Sequence, residues 1–240
     1  MPILLNTAYM PPVEYFAAMA SEFTLSVSRQ GKFVEPSVVY LEACENYQKQ
    51  SWRNRCCFYS ASGKAALSFP VVHDNGTHSN PIKSIRIDYS TQWVRQHERA
   101  IVSAYSTSAF FEYYRDGLFA VLESRPETLW ELNLALIRFF ADKIGISVDL
   151  RETPDFFVHD DVCRGGVWDG MPRVKSLGAV DLREAIHPKR ENDVLGRLNL
   201  KKPYFQVFSE KYGFIKSLSV MDLLFNEGPE SISLLYNPSL

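Results

Sequence analysis

SIRIDYSTQWVRQHERAIVSAY, residues 84–105, carries two hydrophobic periods in succession. From Ser84 to Tyr89, Ile85 and Ile87 alternate with Arg86 and Asp88. That is the period of two of a half-buried strand, with the guanidinium and the carboxylate on the opposite face. From Trp93 onward, Trp93, His97, Ile101 and Ala104–Tyr105 recur every three to four residues. That is one face of a helix, and Asp88 or Ser90 stands ready to cap it. Upstream of this switch the chain reads mainly as strands, and downstream mainly as helices. Strands first and helices later predict an α+β fold rather than a parallel βαβ array. The expected architecture is a single domain over residues 1–240, with an N-terminal mixed sheet packed against a cluster of helices.

Working toward the N-terminus, Ala65–Val71 and Cys56–Ser60 read as two strands joined by a turn at Ala61-Ser62-Gly63-Lys64. Val38–Leu41 is a further β-rich run. Glu22–Ser28 alternates Phe23, Leu25 and Val27 with polar residues, which predicts a strand. Pro11 and Pro12 open a brief helix with Val13, Phe16, Ala17 and Ala20, since proline suits a first helical turn. Ile3–Leu5 is a short apolar run. Toward the C-terminus a helix is expected over Ala109–Leu122. Another is expected over Glu127–Ile144, with Leu129, Leu132, Leu136, Phe139 and Phe140 as its buried stripe and Gly145 as its stop. Residues from about 160 to 202 read as loop-rich, with Gly165-Gly166, Gly170, Pro172, Gly178 and Pro188. A last helix over Ser217–Phe225 ends abruptly at Asn226-Glu227-Gly228-Pro229.

The 240 residues balance 26 Lys and Arg against 28 Asp and Glu, which argues against a protein that coats nucleic acid through overall charge. Hydrophobic residues make up 46%, enough to build a core without disulfides or metals. The apolar run Met1–Leu5 stops at Asn6 and has no charged leader, so no signal peptide is expected. No stretch of 18 apolar residues exists, so no membrane helix is expected. Cys44, Cys56, Cys57 and Cys163 include no Cys-x-x-Cys pair and read as free thiols of a cytoplasmic protein. His73 and His78 flank a polar turn without a second ligand pair, so no metal site is expected, and no motif specifies a cofactor.

Chemistry concentrates in Tyr47-Gln48-Lys49-Gln50-Ser51-Trp52-Arg53-Asn54-Arg55, which packs three cations, two aromatics and three amides into nine residues. Lys49, Arg53 and Arg55 suit a phosphate or carboxylate, because a guanidinium fork matches two oxygens. Trp52 and Tyr47 would cover a base or sugar face. The alternative is a solvated polar strand whose charges pair with neighbouring carboxylates. His97 lies one helical turn from Trp93 and suits a general base, or else a satisfied core histidine. Near the C-terminus Ser219, Asp222 and Asn226 share one helix face, as a polar site or as caps. No nucleophile elbow, Walker loop or dinucleotide fingerprint is present.

These segments together resemble the WbqC-like protein family. The resemblance is carried by Pro11-Pro12-Val13-Glu14-Tyr15-Phe16, by Tyr47–Arg55, and by the Asp88, Trp93, His97, Ile101, Tyr105 pattern. It is carried also by Tyr204–Phe208 and Leu218–Gly228. Some members open with His-Gln-Pro, where this chain reads Tyr9-Met10-Pro11. The resemblance implies a link to bacterial surface-polysaccharide (O-antigen) biosynthesis and a transfer of glycine or a related acyl group.

The leading expectation is a transferase acting on an activated acyl or aminoacyl donor and an amino-sugar-type acceptor. Lys49, Arg53 and Arg55 would hold the donor's phosphate or carboxylate, with Asn54 orienting it and Trp52 beside it. His97 would take a proton from the acceptor amine, with Asp88 or Tyr105 holding the imidazole. Asp222 and Asn226 would complete the substrate site. The alternative is a non-catalytic module for a nucleotide, nucleotide-sugar or RNA end. A scaffold protein is the third reading. The expected partner is a phosphate- or carboxylate-bearing small molecule, with no membrane and nucleic acid disfavoured. The oligomeric state is open.

Overall fold

A computed structural model describes residues 1–27, 36–72, 80–200 and 203–236. His73 and His78 lie outside the described residues. The chain opens with strand β1 (Ile3–Asn6), helix α1 (Val13–Val27) and strand β2 (Ser37–Glu42). β1 and β2 pair in parallel, Ile3 opposite Val39 and Leu5 opposite Leu41. The hairpin β3 (Arg55–Ser60) and β4 (Gly63–Ser68) follows, with Ser60 opposite Gly63. Three helices come next, α2 (Trp93–Tyr105), α3 (Phe111–Glu123) and α4 (Leu129–Ile144). Strands β5 (Val148–Glu152), β6 (Asp161–Val162), β7 (Pro172–Val174) and β8 (Ala179–Asp181) return to the sheet. Short helices α5 (Val194–Arg197) and α6 (Ser209–Tyr212) precede α7 (Val220–Glu227) and α8 (Ser231–Leu235).

The main sheet has six strands in the order β5-β2-β1-β8-β7-β6. The first four run parallel, while β7 and β6 are antiparallel. The mixed sheet and its packed helices make the α+β class expected from the sequence, but β1-α1-β2 at its centre is a parallel βαβ unit. β1 explains this centre. Ile3 and Leu5 face the principal core, whereas Leu4 meets Val174 and Ala179 on the other side. A strand apolar on both faces needs cover on both. The glycine-rich stretch after residue 160 supplies part of that cover, so it is not merely loop.

Two strand expectations are corrected. Glu22–Val27 continues α1 instead of forming a strand, and Ser28 lies outside the described residues. Phe16, Ala20, Phe23 and Val27 are spaced four, three and four, so the same apolar residues fit a helix as well as an alternating strand. Ser84–Tyr89 buries Ile85 and Ile87, as the alternation requires, but it joins no sheet. It holds only isolated bridges, Ile87 to Val71 and Arg86 to Thr128.

Helices α4 and α7 follow their end signals, whereas α2 has Gln92 rather than Asp88 or Ser90 at its N-cap position, with no side-chain cap bond. Thr128 and Glu131 form a reciprocal capping box at α4, and Gly145 closes it in the left-handed region at φ 87°. α7 is capped by the Ser219 hydroxyl and stopped at Gly228, φ 54°. A Cβ at Gly228 would strike the Phe110 ring. Phe110 N donates to Phe225 O at 2.9 Å, which fixes that ring against the end of α7. Gly228→Ala is therefore expected to destabilise by about 2 kcal/mol or more, from left-handed strain plus overlap. Gly165→Ala, with φ 74° but open space around it, should cost only about 1 kcal/mol in the same urea titration.

Candidate functional site

The block Tyr47–Arg55 folds as a turn and a short 3-10 turn that feed β3. Its central cation is buried. Arg53 is 3% exposed and grips Glu45 with both ends of its guanidinium, Nε to Oε1 at 2.7 Å and Nη2 to Oε2. Asn133 Nδ2 donates to the Arg53 carbonyl at 2.8 Å, and Asn54 Nδ2 donates to Phe69 O at 2.9 Å. Both side chains are spent on the fold. Arg53 as a donor-binding cation is thus corrected to half of a buried ion pair, and Asn54 to a tie between loops. Tyr47 is buried and offers no open ring face. Lys49 is exposed and Arg55 half-buried. Trp52 alone of this block's aromatics reaches a cleft. Removing one partner of a buried pair strands the other charge, so Arg53→Ala is expected to destabilise by about 3–5 kcal/mol in urea. Unchanged stability would show that Arg53 is not structural.

His97 is buried against Trp93, ring centroids 5.1 Å apart. Its Nε2 lies 3.2 Å from Ser68 O, which can only accept, so Nε2 carries the hydrogen. Nδ1 then accepts from Tyr9 OH at 2.8 Å. Burial lowers its pKa to about 4. With both ring nitrogens paired and only 4% of the residue exposed, His97 sits as a neutral core histidine. Asp88 does not hold the imidazole, since both ring nitrogens are taken. Its Oδ1 accepts from Ser90 N at 2.8 Å, in the turn before α2.

Tyr105 and Asp222 do meet, deep in the core. Tyr105 OH donates to Asp222 Oδ1 and Tyr204 OH to Oδ2, each at 2.8 Å. Burial raises Asp222 to about 6 against these two hydrogen bonds. Asn226 Nδ2 donates to the Asp222 carbonyl at 2.7 Å. The Tyr105 bond locks α7 to α2, the Tyr204 bond ties α7 to the loop ahead of α6, and Tyr204 alone of the network also borders the cleft.

The two burial shifts act in opposite senses. The folded protein holds His97 below its usual 6.5, so that stability is present above about 6.5 and lost as pH falls toward 4. It holds Asp222 above its usual 3.8, so that stability is present below about 3.8 and lost as pH rises through 6. Relative to wild type, His97→Gln should lose stability as pH rises from 4 to 6, and Asp222→Asn should gain it. Urea unfolding at a series of pH values checks this, and parallel profiles for all three proteins would exclude it.

A cleft of about 720 Å³ opens elsewhere. Its walls are the start of α1, Lys64 of β4, residues 186–200, and the segment ahead of α7. Trp52 and Ile186–Pro188 link it to a narrow slot at the carboxyl ends of β1 and β8. That is where parallel sheets place ligands. Lys64, Lys189, Arg190 and Lys216 line the cleft. Lys189 Nζ donates to Gln50 Oε1 at 2.7 Å, so Gln50 and Trp52 border the cleft, while Lys49, Arg53 and Arg55 do not line it. Arg190 pairs with Glu184 at 2.6 Å on the exposed rim. His187 stands between cleft and slot, its pKa lowered by burial.

Glu14 also lines the cleft, though only 3% exposed. The Ser217 hydroxyl donates to its Oε1 at 2.6 Å. Oε2 has no hydrogen-bond partner among the described residues. Burial raises its pKa, with Ser217, its own backbone N–H, Lys64 and Lys216 acting the other way. Ser217 sits in the left-handed region at φ 55°, which costs an L residue roughly 1–2 kcal/mol. The lashing around it fixes this geometry. Val13 N donates to Leu218 O at 3.0 Å, Val220 N to Pro11 O at 2.9 Å, and Ser219 N to Cys57 O at 2.7 Å.

Glu14, Ser217, Lys64 and Lys216 were not singled out from the sequence. A glutamate in a first helical turn reads as a partner for the helix dipole. The one available signal was a carboxylate among Val13, Phe16 and Ala17, on a helix whose residues 13–20 are all buried.

The model of the WbqC-like protein family matches residues 7–162, more than half of the chain. The chain belongs to this family. The match includes Glu14, Trp52 and Lys64, and it stops short of the wall formed by His187, Lys189 and Ser217. The chain is also 26% identical over 208 residues to the uncharacterized protein Rv1507c of Mycobacterium tuberculosis (strain ATCC 25618 / H37Rv). That alignment covers 83% of this chain and 87% of the relative. No solved structure matches.

Proposed function

We propose that the protein is a transferase that moves an acyl or aminoacyl group, glycine among the candidates, from an activated donor to an amino-sugar-type acceptor. The setting is the cytoplasmic stage of surface-polysaccharide biosynthesis. One observation carries this reading: a cleft of about 720 Å³ lined by four cationic side chains and by the buried Glu14 carboxylate, with Glu191 and Asp193 also on its wall. Its volume suits a small-molecule ligand. Cations set around a cleft favour a phosphate- or carboxylate-bearing donor and offset charge that develops on a leaving group. A carboxylate beside them supplies acid–base chemistry. Trp52 borders the space that a donor would fill. Lys64 and Lys216 have no ion-pair partner among the described residues, so their charge is available to a ligand.

Support for the setting is coarser. Family membership connects the chain to the expectation drawn from the resemblance. All four cysteines are free, as suits a reducing compartment. Among the described residues no helix is long and apolar enough to cross a membrane. The binding-module alternative would use the same cleft, but its stacking surface is reduced by the burial of Tyr47 and Trp52.

A thermal-unfolding screen against nucleotide-sugars, acyl-CoA and aminoacyl-adenylate analogues tests the reading. A ligand at about a hundred times its Kd adds roughly 2.7 kcal/mol. The stabilisation should shrink in Lys64→Ala and Lys216→Ala and persist in Lys49→Ala, whose charge lies outside the cleft. A hit indifferent to Lys64 and Lys216 would move the site elsewhere, and no hit in any class would count against an anionic donor.

A further inference from the structure

We infer that Glu14 is the acceptor site of the cleft: its Oε2 receives an N–H of a primary ammonium on the acceptor and then takes one of its protons. This rests on the transferase reading and names the acceptor's chemistry and the group that activates it.

The observation behind it is an orphaned charge-bearing atom. Oε1 is satisfied by Ser217, while Oε2 is buried without a partner among the described residues, on the wall of the 720 Å³ cleft. A buried carboxylate oxygen left unpaired is costly, and a ligand that supplies an N–H donor removes the cost. No lysine or arginine among the described residues forms an ion pair with Glu14. Its geometry is also built. α1 begins at Val13, and the two backbone bonds to Leu218 and Pro11 hold Ser217 against it. The groups that act on it are Lys64 from β4, Lys216 and Ser217 ahead of α7, and Tyr204, and the rest of the cleft wall adds His187, Lys189, Arg190, Glu191 and Asp193. The lysines limit how far its affinity for protons rises, and burial raises it. A carboxylate raised in this way is a better proton acceptor than one in water.

The step balances without an oxidant or reductant. An ammonium R–NH3⁺ gives one proton to Oε2 and becomes R–NH2. Its lone pair attacks the carbonyl carbon of an acyl phosphate or thioester, the C–N bond forms, and the bond from carbon to the leaving oxygen or sulfur breaks. The leaving group departs with the electron pair. The second nitrogen proton passes to that leaving group or to water. The cations of the cleft receive the charge that departs.

The full chain is titrated calorimetrically with D-glucosamine, with N-acetylglucosamine, which lacks the ammonium, and with inorganic pyrophosphate as the anion probe. Glucosamine is expected to bind wild type about tenfold or more tightly than N-acetylglucosamine, the scale of a charged hydrogen bond. Glu14→Gln should lose that preference and keep its pyrophosphate affinity. Glucosamine binding unchanged in Glu14→Gln, or absent from wild type, overturns the assignment. Loss of pyrophosphate binding from wild type, with glucosamine binding still dependent on Glu14, overturns the anionic-donor reading and leaves the acceptor site standing. Should Glu14→Gln fail to fold, wild type decides. Its glucosamine affinity must fall as pH is lowered and Glu14 is protonated, and an affinity that does not change with pH overturns the proposal.

Discussion

The structure depends first on the burial of Ile3, Leu4 and Leu5. Each is exposed by no more than 1%, and β1 is hydrogen-bonded on both edges, to β2 and to β8. A strand apolar on both faces is stable only between two covering layers. One layer is the helical core around α1, α2, α4 and α7. The other is built by Val174, Ala179 and the partly buried residues near them. The glycines between residues 160 and 180 serve the reversals that bring β6, β7 and β8 back to β1, and five of the glycine residues from 145 to 178 hold positive φ. The sheet therefore joins residues far apart in the chain, and its carboxyl ends open toward the cleft.

A second constraint converts that sheet into a site. Pro11, Pro12 and Val13 are paired with Leu218, Ser219 and Val220 by backbone bonds and by the Pro12–Ser219 bridge. This joins the first helix to the last long one and brings Ser217 to Glu14 across more than two hundred residues of sequence. The hairpin takes part through Cys57 O and places Lys64 on the same cleft. Proline at residues 11 and 12 suits this arrangement, since neither needs to donate in the bonds that it makes.

Burial decides which polar residues remain available. Arg53, His97, Tyr105 and Asp222 carry groups that often do chemistry, yet each is closed within the core and paired there. Buried polar groups keep their partners because losing one leaves the other desolvated. Glu14 is as buried as these and differs in one atom, the oxygen that no described residue fills. The contrast lies between a completed network and an incomplete one beside open space, not between polar residues and apolar ones.

Much of the fold was legible locally. The shift of hydrophobic period at residues 84–105, the capping residues of α4, the stop at Gly228 and the β3–β4 turn all act within a few residues, where propensity and sterics operate directly. The helix taken for a strand at Glu22–Val27 shows the limit, because its apolar residues satisfy both periods. The candidate site was legible only in part. Trp52 reaches the cleft and Gln50 contacts it through Lys189, but Lys49, Arg53 and Arg55 do not line it, and His97 turns inward. Residue type alone determined which groups this protein holds and which segments become helices and turns. Only tertiary structure decided which of those groups meet, which are consumed by partners and which face open space. That follows because solvation and pairing are set by neighbours distant in the chain, and no local pattern records them.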